Sequence, residues 1–112
     1  MKKTFFNDTA TTEIYTLCYT LSLHDALPIC AGDGLVAIST SGNSRNVIRA
    51  VEAAGRLGIF TLGLLGRDGG QLLGLCDLGL VVPHSVTARI QEAHILIGHT
   101  LCGLIEAEMG LA

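Results

Sequence analysis

The chain has 112 residues, of which 49% are hydrophobic and 15% charged, so it is long enough for one small globular domain and too apolar for a disordered chain. Its net charge of -3 gives no basic surface for a nucleic-acid backbone, and we expect no nucleic-acid partner. Charged residues interrupt the most apolar region, so we expect no membrane span, and the four cysteines lack disulfide-scaffold spacing, which favours a cytoplasmic location.

Residues 1–30 differ in composition from the rest of the chain. All 14 glycines lie in 31–112, whereas Phe5, Phe6, Tyr15 and Tyr19 place most of the aromatic residues in 1–30. The stretch from residue 7 to about residue 29 resembles the translation of a short-read sequencing adapter, through the words NDTATTEIYT and YTLSLHDALPI. We therefore interpret 1–30 as a non-native leader, with an ordinary N-terminal helix as the alternative, and 31–112 as part of a natural domain.

From Gly34 onward, short apolar runs alternate with apolar residues at helical spacing. The predicted elements are a strand over 35–38, a helix over 46–57, a strand over 59–65, a short helix over 71–75, a strand over 77–82 and a long helix over 87–109. Alternating strands and helices predict an α/β fold with a parallel sheet. Three strands are few for such a sheet, so these residues are expected to form part of a doubly wound domain.

The polar loop 39–44 follows the first of these strands and precedes its helix. Its polar side chains are those of Ser39, Thr40, Ser41, Asn43 and Ser44. Ligands of open α/β sheets bind at the carboxyl ends of strands, and a helix N-terminus favours a phosphate group. The loop therefore predicts a sugar-phosphate site, with a simple helix cap at Ser41 or Ser44 as the alternative.

Three stretches of the chain together carry a specific resemblance to a known family. They are AISTSGNSRNVIRAVEAA, GLLGRDGGQL and VVPHSVTARIQEAHILIGHTLCGLIE. In this order they resemble the C-terminal half of a sugar isomerase (SIS) domain, most of all that of the phosphoheptose isomerases, across 31–112. The resemblance implies a Rossmann-like, three-layer fold whose N-terminal half is missing here. It also implies that the complete enzyme interconverts sedoheptulose 7-phosphate and heptose 7-phosphate for lipopolysaccharide precursors or another heptose-bearing glycan. Because the N-terminal half is missing, we expect this chain alone to be inactive or poorly folded.

The resemblance also implies roles for individual residues. The residues that correspond to the phosphate and sugar-binding loop of the family are Ser39, Thr40, Ser41 and Ser44. Gln91 and His99 correspond to residues that contact the substrate and bind a zinc ion, and His99 corresponds to a residue that also transfers a proton. A glutamate and a histidine of the missing half would complete the metal site and the catalytic base.

Spacing alone supports this pair weakly. Gln91 and His99 lie about 80° and 12 Å apart on an ideal helix, so they would bracket an ion through long side chains or act from facing subunits. His94 lies on the apolar side of the same helix and is expected to be structural. His84 lies in the preceding loop and is expected to be exposed.

The alternative function is that of a non-catalytic SIS protein, either a replication-initiator-associating scaffold or a phosphosugar sensor. Both would keep the loop 39–44 and bury the same helix, and His99 is the residue that favours the enzyme. The family forms homotetramers. Ile97, Leu101 and Leu104 on the last helix could fill a subunit interface of this kind or the core of the subunit itself.

Overall fold

The computed structural model describes residues 3–7 and 31–111, which form four strands and three helices. The elements are, in chain order, β1 (Lys3–Asn7), β2 (Gly34–Ser39), α1 (Arg45–Arg56), β3 (Phe60–Gly66), α2 (Leu72–Leu75), β4 (Leu78–Val82) and α3 (Thr87–Glu108). All the elements predicted after residue 34 are present, so the predicted α/β class is confirmed. None of the helices in the described ranges combines the length and hydropathy that crossing a bilayer requires.

β1 is a strand that the sequence pattern does not predict. It pairs in parallel with β2, and Lys3 lies opposite Gly34. Part of the segment interpreted as a leader is therefore the first strand of the sheet. The remainder of the adapter-like stretch, from residue 8 onward, lies outside the described residues, and its origin stays a prediction.

The four strands form one parallel sheet in the order β1, β2, β3, β4. Parallel strands present their carboxyl ends at the same edge of a sheet. Ser39 at the end of β2 pairs with Leu65 near the end of β3. The loop 39–44 and the turn 67–71 therefore leave the sheet side by side.

One face of the sheet packs against α1 and α2 and is called the covered face. Side chains alternate between the two faces along each strand, and the register places Leu35, Ala37 and Leu65 on this face. They form a buried core with Val47 and Val51 of α1. The apolar side of α1 thus packs on the covered face of the sheet.

The opposite face is called the open face and carries Leu62, Leu64, Leu78 and Leu80, which the register places side by side. Helix α3 packs here through Ile90, which is fully buried. Leu64 is 1% exposed, whereas Leu78 is 51% exposed and Leu80 is 36% exposed. Helices therefore lie on both faces, as a doubly wound fold requires, but the described residues cover the open face only in part.

Candidate functional site

The loop 39–44 is folded around its own hydroxyl groups. Ser39 is fully buried, and its Oγ accepts a hydrogen bond from the backbone N–H of Gly42 at 3.0 Å. The Ser41 Oγ accepts a hydrogen bond from the backbone N–H of Asn43 at 3.1 Å and lies 3.5 Å from the Ser39 Oγ. The structure therefore brings Ser39 and Ser41 together in a compact turn at the sheet edge where α/β proteins bind ligands.

Ser44 occupies the N-cap of α1, with φ −64° and ψ 120°. Its carbonyl accepts a hydrogen bond from the N–H of Ile48 at 2.9 Å, but its hydroxyl makes no capping hydrogen bond to the described helix. The first turn of α1 contains no acidic residue, and the first N–H groups of a helix have no intrahelical acceptor. Ser44 therefore does not act as a side-chain cap of α1. The positive end of the helix dipole favours an anion at this position.

Thr40 brings the loop into contact with the neighbouring strand. A Cβ atom added to Gly66 would overlap the carbonyl oxygen of Thr40 and would lie 2.7 Å from Cγ2 of Ile90. Gly66 therefore allows the loop after β2 and the first part of α3 to approach the same end of β3. The sequence predicts the loop 39–44 and α3 as separate elements and does not predict that they lie close together. The only local sign of their contact is Gly66, which ends the apolar run of β3.

His94 is a buried residue that joins α3 to the sheet. It is 4% exposed, and its Nε2 lies 2.7 Å from the carbonyl oxygen of Leu65. Because a carbonyl oxygen only accepts, Nε2 is the donor in this contact. Nδ1 is buried and has no hydrogen-bond partner among the described residues. His94 thus makes the structural contact expected of it and holds α3 against the carboxyl end of β3.

Gln91 and His99, the two predicted metal ligands, are both exposed on α3. Gln91 follows Ile90 directly and so lies near the end of the sheet that carries the loop. The described residues contain no group of three or more histidine, cysteine, aspartate or glutamate side chains that could hold a metal ion. Gln91 and His99 supply an amide oxygen and an imidazole nitrogen, which do not complete a zinc site by themselves.

His84 lies in the loop between β4 and α3 and is exposed. Its Nδ1 accepts a hydrogen bond from the backbone N–H of Val86 at 3.0 Å. This contact shapes the entry to α3 without joining His84 to the predicted site residues. His84 is therefore a suitable control residue for the effects of removing a histidine.

Proteins similar to this chain are phosphoheptose isomerases. The chain is 60% identical over 75 residues to the enzyme of a Nitratiruptor species, an alignment that covers 67% of the chain and 40% of that relative. It is 58% identical over 78 residues to the enzyme of Aliarcobacter butzleri, an alignment that covers 70% of the chain and 41% of the relative. No family model matches the chain. The resemblance predicted from the sequence is confirmed.

Solved structures of phosphoheptose isomerases share the fold. The structure from Neisseria gonorrhoeae superposes with a TM-score of 0.71 at 42% identity, over 88% of this chain and 52% of that one. The structure from Francisella tularensis gives a TM-score of 0.71 at 36% identity, over 88% of this chain and 50% of that one. The chain spans about 40% of the length of the curated relatives that it matches.

Proposed function

We propose that the chain forms part of a phosphoheptose isomerase and that the loop 39–44 binds the phosphate group of the sugar substrate. The observation that supports this most is the placement of the loop. It leaves the carboxyl end of a parallel strand, is rich in hydroxyls and leads into the N-terminus of α1, whose first turn contains no acidic residue. Such a position suits an anion through backbone N–H groups and the helix dipole.

In this proposal Ser39, Thr40, Ser41 and Ser44 hold one end of the substrate, and α3 acts at the other end. Interconversion of an aldose and a ketose moves a proton between C1 and C2 through an enediol, so it needs a group that takes and returns a proton. His99 is our candidate, since imidazole is the side chain most often used for proton transfer. Gln91 is our candidate for orienting the sugar hydroxyls.

Gln91 and His99 are also proposed to contribute to a zinc site. Zinc prefers nitrogen, sulfur and oxygen ligands in a group of four, so the remaining ligands would come from outside the described residues. When bound, the ion would polarise the substrate carbonyl. The part of the relatives' length that this chain does not match is where we expect a glutamate and a histidine to complete the set.

The enzyme is proposed to act as a cytoplasmic homotetramer that supplies heptose for lipopolysaccharide precursors. Exposed apolar residues on α3 support subunit contacts, because Ile95, Leu96 and Leu104 are 60%, 68% and 59% exposed. Apolar residues in such numbers on one helix are typical of an interaction surface.

The proposal is tested by joining residues 31–111 to the unmatched part of the Nitratiruptor relative and measuring the conversion of sedoheptulose 7-phosphate to heptose 7-phosphate. We expect turnover by the joined protein and none by the 112-residue chain. His99→Ala in the joined protein should lower kcat by about 10²–10⁴-fold while sugar-phosphate binding is retained. His84→Ala, the matched control, should leave kcat unchanged.

Two results would count against the proposal. Turnover by the 112-residue chain alone would show that the catalytic groups lie within it. Tight sugar-phosphate binding by a well-folded joined protein without any turnover would favour the non-catalytic SIS alternative.

A further inference from the structure

The turn 67–71, called here the glycine turn, packs directly against the loop 39–44. Gly42 and Gly70 have φ values of 71° and 55°, which side chains rarely allow. A Cβ atom on Gly42 would overlap the carbonyl group of Gly69, and one on Gly70 would lie 2.7 Å from Oδ1 of Asn43. Two glycines in left-handed conformations therefore let the two backbones touch.

Two hydrogen bonds hold the contact together. The Asn43 Oδ1 accepts a hydrogen bond from the backbone N–H of Gln71 at 2.9 Å. The Gly42 carbonyl accepts one from the backbone N–H of Leu72 at 3.0 Å. Leu72 is fully buried in the core that also contains Leu35. The segment that follows the glycine turn is thus anchored in the core of the covered face through Leu72. The two hydrogen bonds connect this anchored segment to the loop 39–44.

The side chain of Asn43 faces both elements at once. Its Oδ1 accepts from the glycine turn, while its Nδ2 donates a hydrogen bond to the carbonyl oxygen of Ser41 at 3.3 Å within the loop. The carboxamide is therefore occupied on both sides by backbone groups. These contacts assign Asn43 to holding the loop rather than to contacting a ligand.

We infer that Asn43 is a positioning residue, which fixes the hydroxyls of the loop 39–44 around a phosphate group by tying the loop to the glycine turn. The inference rests on the proposed phosphate-binding function of that loop. A loop that is already ordered loses less conformational entropy when a ligand binds, so its affinity is higher. Coupling between sites is reciprocal, so phosphate in the loop must also stabilise the hydrogen bond between Asn43 and Gln71.

The first test measures the affinity of the 112-residue chain for inorganic phosphate by NMR titration. Asn43→Ala removes the acceptor, and we expect the affinity to fall by roughly three- to tenfold, the effect of one hydrogen bond. Gln71→Ala is the matched control, because it keeps the backbone N–H that Asn43 accepts from, and its affinity should stay within about twofold of the wild type.

The second test measures hydrogen exchange of the Gln71 amide. At phosphate concentrations that give equal occupancy, phosphate should slow this exchange more in the wild-type chain than in Asn43→Ala. If Asn43 only stabilised the fold, the slowing of exchange at Gln71 would be the same in both chains. This readout therefore separates positioning from a general loss of stability.

Gly70→Ala provides an independent variant, and Gly74→Ala is its matched control. Gly70→Ala introduces a side chain where φ is 55° and Asn43 Oδ1 is 2.7 Å away, whereas a side chain at Gly74 meets nothing within 4 Å. We expect Gly70→Ala to weaken phosphate binding by roughly tenfold or more, since a Cβ atom at this left-handed position displaces Asn43 and the backbone of Gly42. Gly74→Ala should bind like the wild type.

The outcomes distinguish the inference from the function on which it rests. If a folded wild-type chain does not bind phosphate, the proposed phosphate loop is wrong and the positioning role is lost with it. If the wild type binds phosphate and Asn43→Ala binds it equally tightly, with the same slowing of exchange at Gln71, the positioning role is overturned while the phosphate loop stands.

Discussion

The two faces of the sheet differ in how far this chain covers them. On the covered face, Leu35, Ala37 and Leu65 are each less than 5% exposed, because α1 and α2 pack over them. On the open face, Phe60 and Leu78 are 55% and 51% exposed. The same four strands carry both faces, so the difference lies in the helices that pack on them.

Helix α3 explains why the open face is covered only in part. It is 22 residues long, but Ile90 and His94 are its only buried residues in the described part of the chain. Both lie in its N-terminal half, and apolar residues further along are half-buried or exposed. Parallel sheets are normally covered by helices on both faces. Among the described residues, the open face and the C-terminal half of α3 therefore keep apolar side chains exposed, such as those of Leu78 and Leu104.

The largest expected effect comes from placing a charge on each face in turn. Leu35→Asp puts a carboxylate into the core of the covered face, where Leu35 is 4% exposed. An unpaired buried charge costs about 3–5 kcal/mol, so the free energy of unfolding should fall by that amount. Leu78→Asp, on the open face, should cost less than about 1 kcal/mol. Urea denaturation of both variants measures the difference, and equal losses would show that the two faces are equally covered.

An intermediate effect is expected at the contact that holds α3 on the open face. His94→Leu removes the hydrogen bond to the Leu65 carbonyl, and the loss of one buried hydrogen bond should lower the free energy of unfolding by about 0.5–1.5 kcal/mol. His94→Gln retains a side-chain N–H and should lose less. If the two variants unfold at the same urea concentration, the hydrogen bond does not hold the helix in place.

The smallest effect is a difference in thiol reactivity between the two sides of the molecule. Burial raises the pKa of Cys76, the charge of Asp77 raises it further, and a hydrogen bond with Thr61 opposes both. Cys102 is exposed on α3. Because the thiolate is the reactive form, iodoacetamide at pH 8 should modify Cys102 several times faster than Cys76. Peptide mapping by mass spectrometry measures both rates, and faster labelling of Cys76 would contradict its burial.

The fold after residue 34 could be predicted because buried strands and amphipathic helices leave local patterns in the sequence. The predicted strand over 77–82 is observed as Leu78–Val82, and the predicted helix over 87–109 as Thr87–Glu108. Asp77 lies just outside its strand, and its carboxylate accepts a hydrogen bond from the Thr61 N–H at 2.8 Å. β1 could not be predicted, since Lys3–Asn7 has no clear apolar run and its place depends on pairing with β2.

The candidate site could be predicted only where its residues lie close together in the sequence. The composition of the loop 39–44 indicated a phosphate site, but the bond between Asn43 and Gln71 joins residues 28 positions apart through a backbone N–H. No sequence pattern marks such a bond. Helical spacing left open whether Leu104 fills the core of the subunit or an interface, and in the described part of the chain it is 59% exposed. Periodicity shows which residues share a side of a helix and not what packs there.

The free edge of β4 has a consequence for the protein in concentrated solution. In the described sheet β4 is an outermost strand, so one row of its backbone N–H and C=O groups has no strand beside it. Its sequence, LGLVV, carries no charge, and Leu78 and Leu80 are exposed next to that edge. Natural sheets usually protect such edges with charged residues or proline, and here Pro83 follows only after the strand has ended. We therefore expect β4 to be the strand through which copies of the chain pair and aggregate at high concentration.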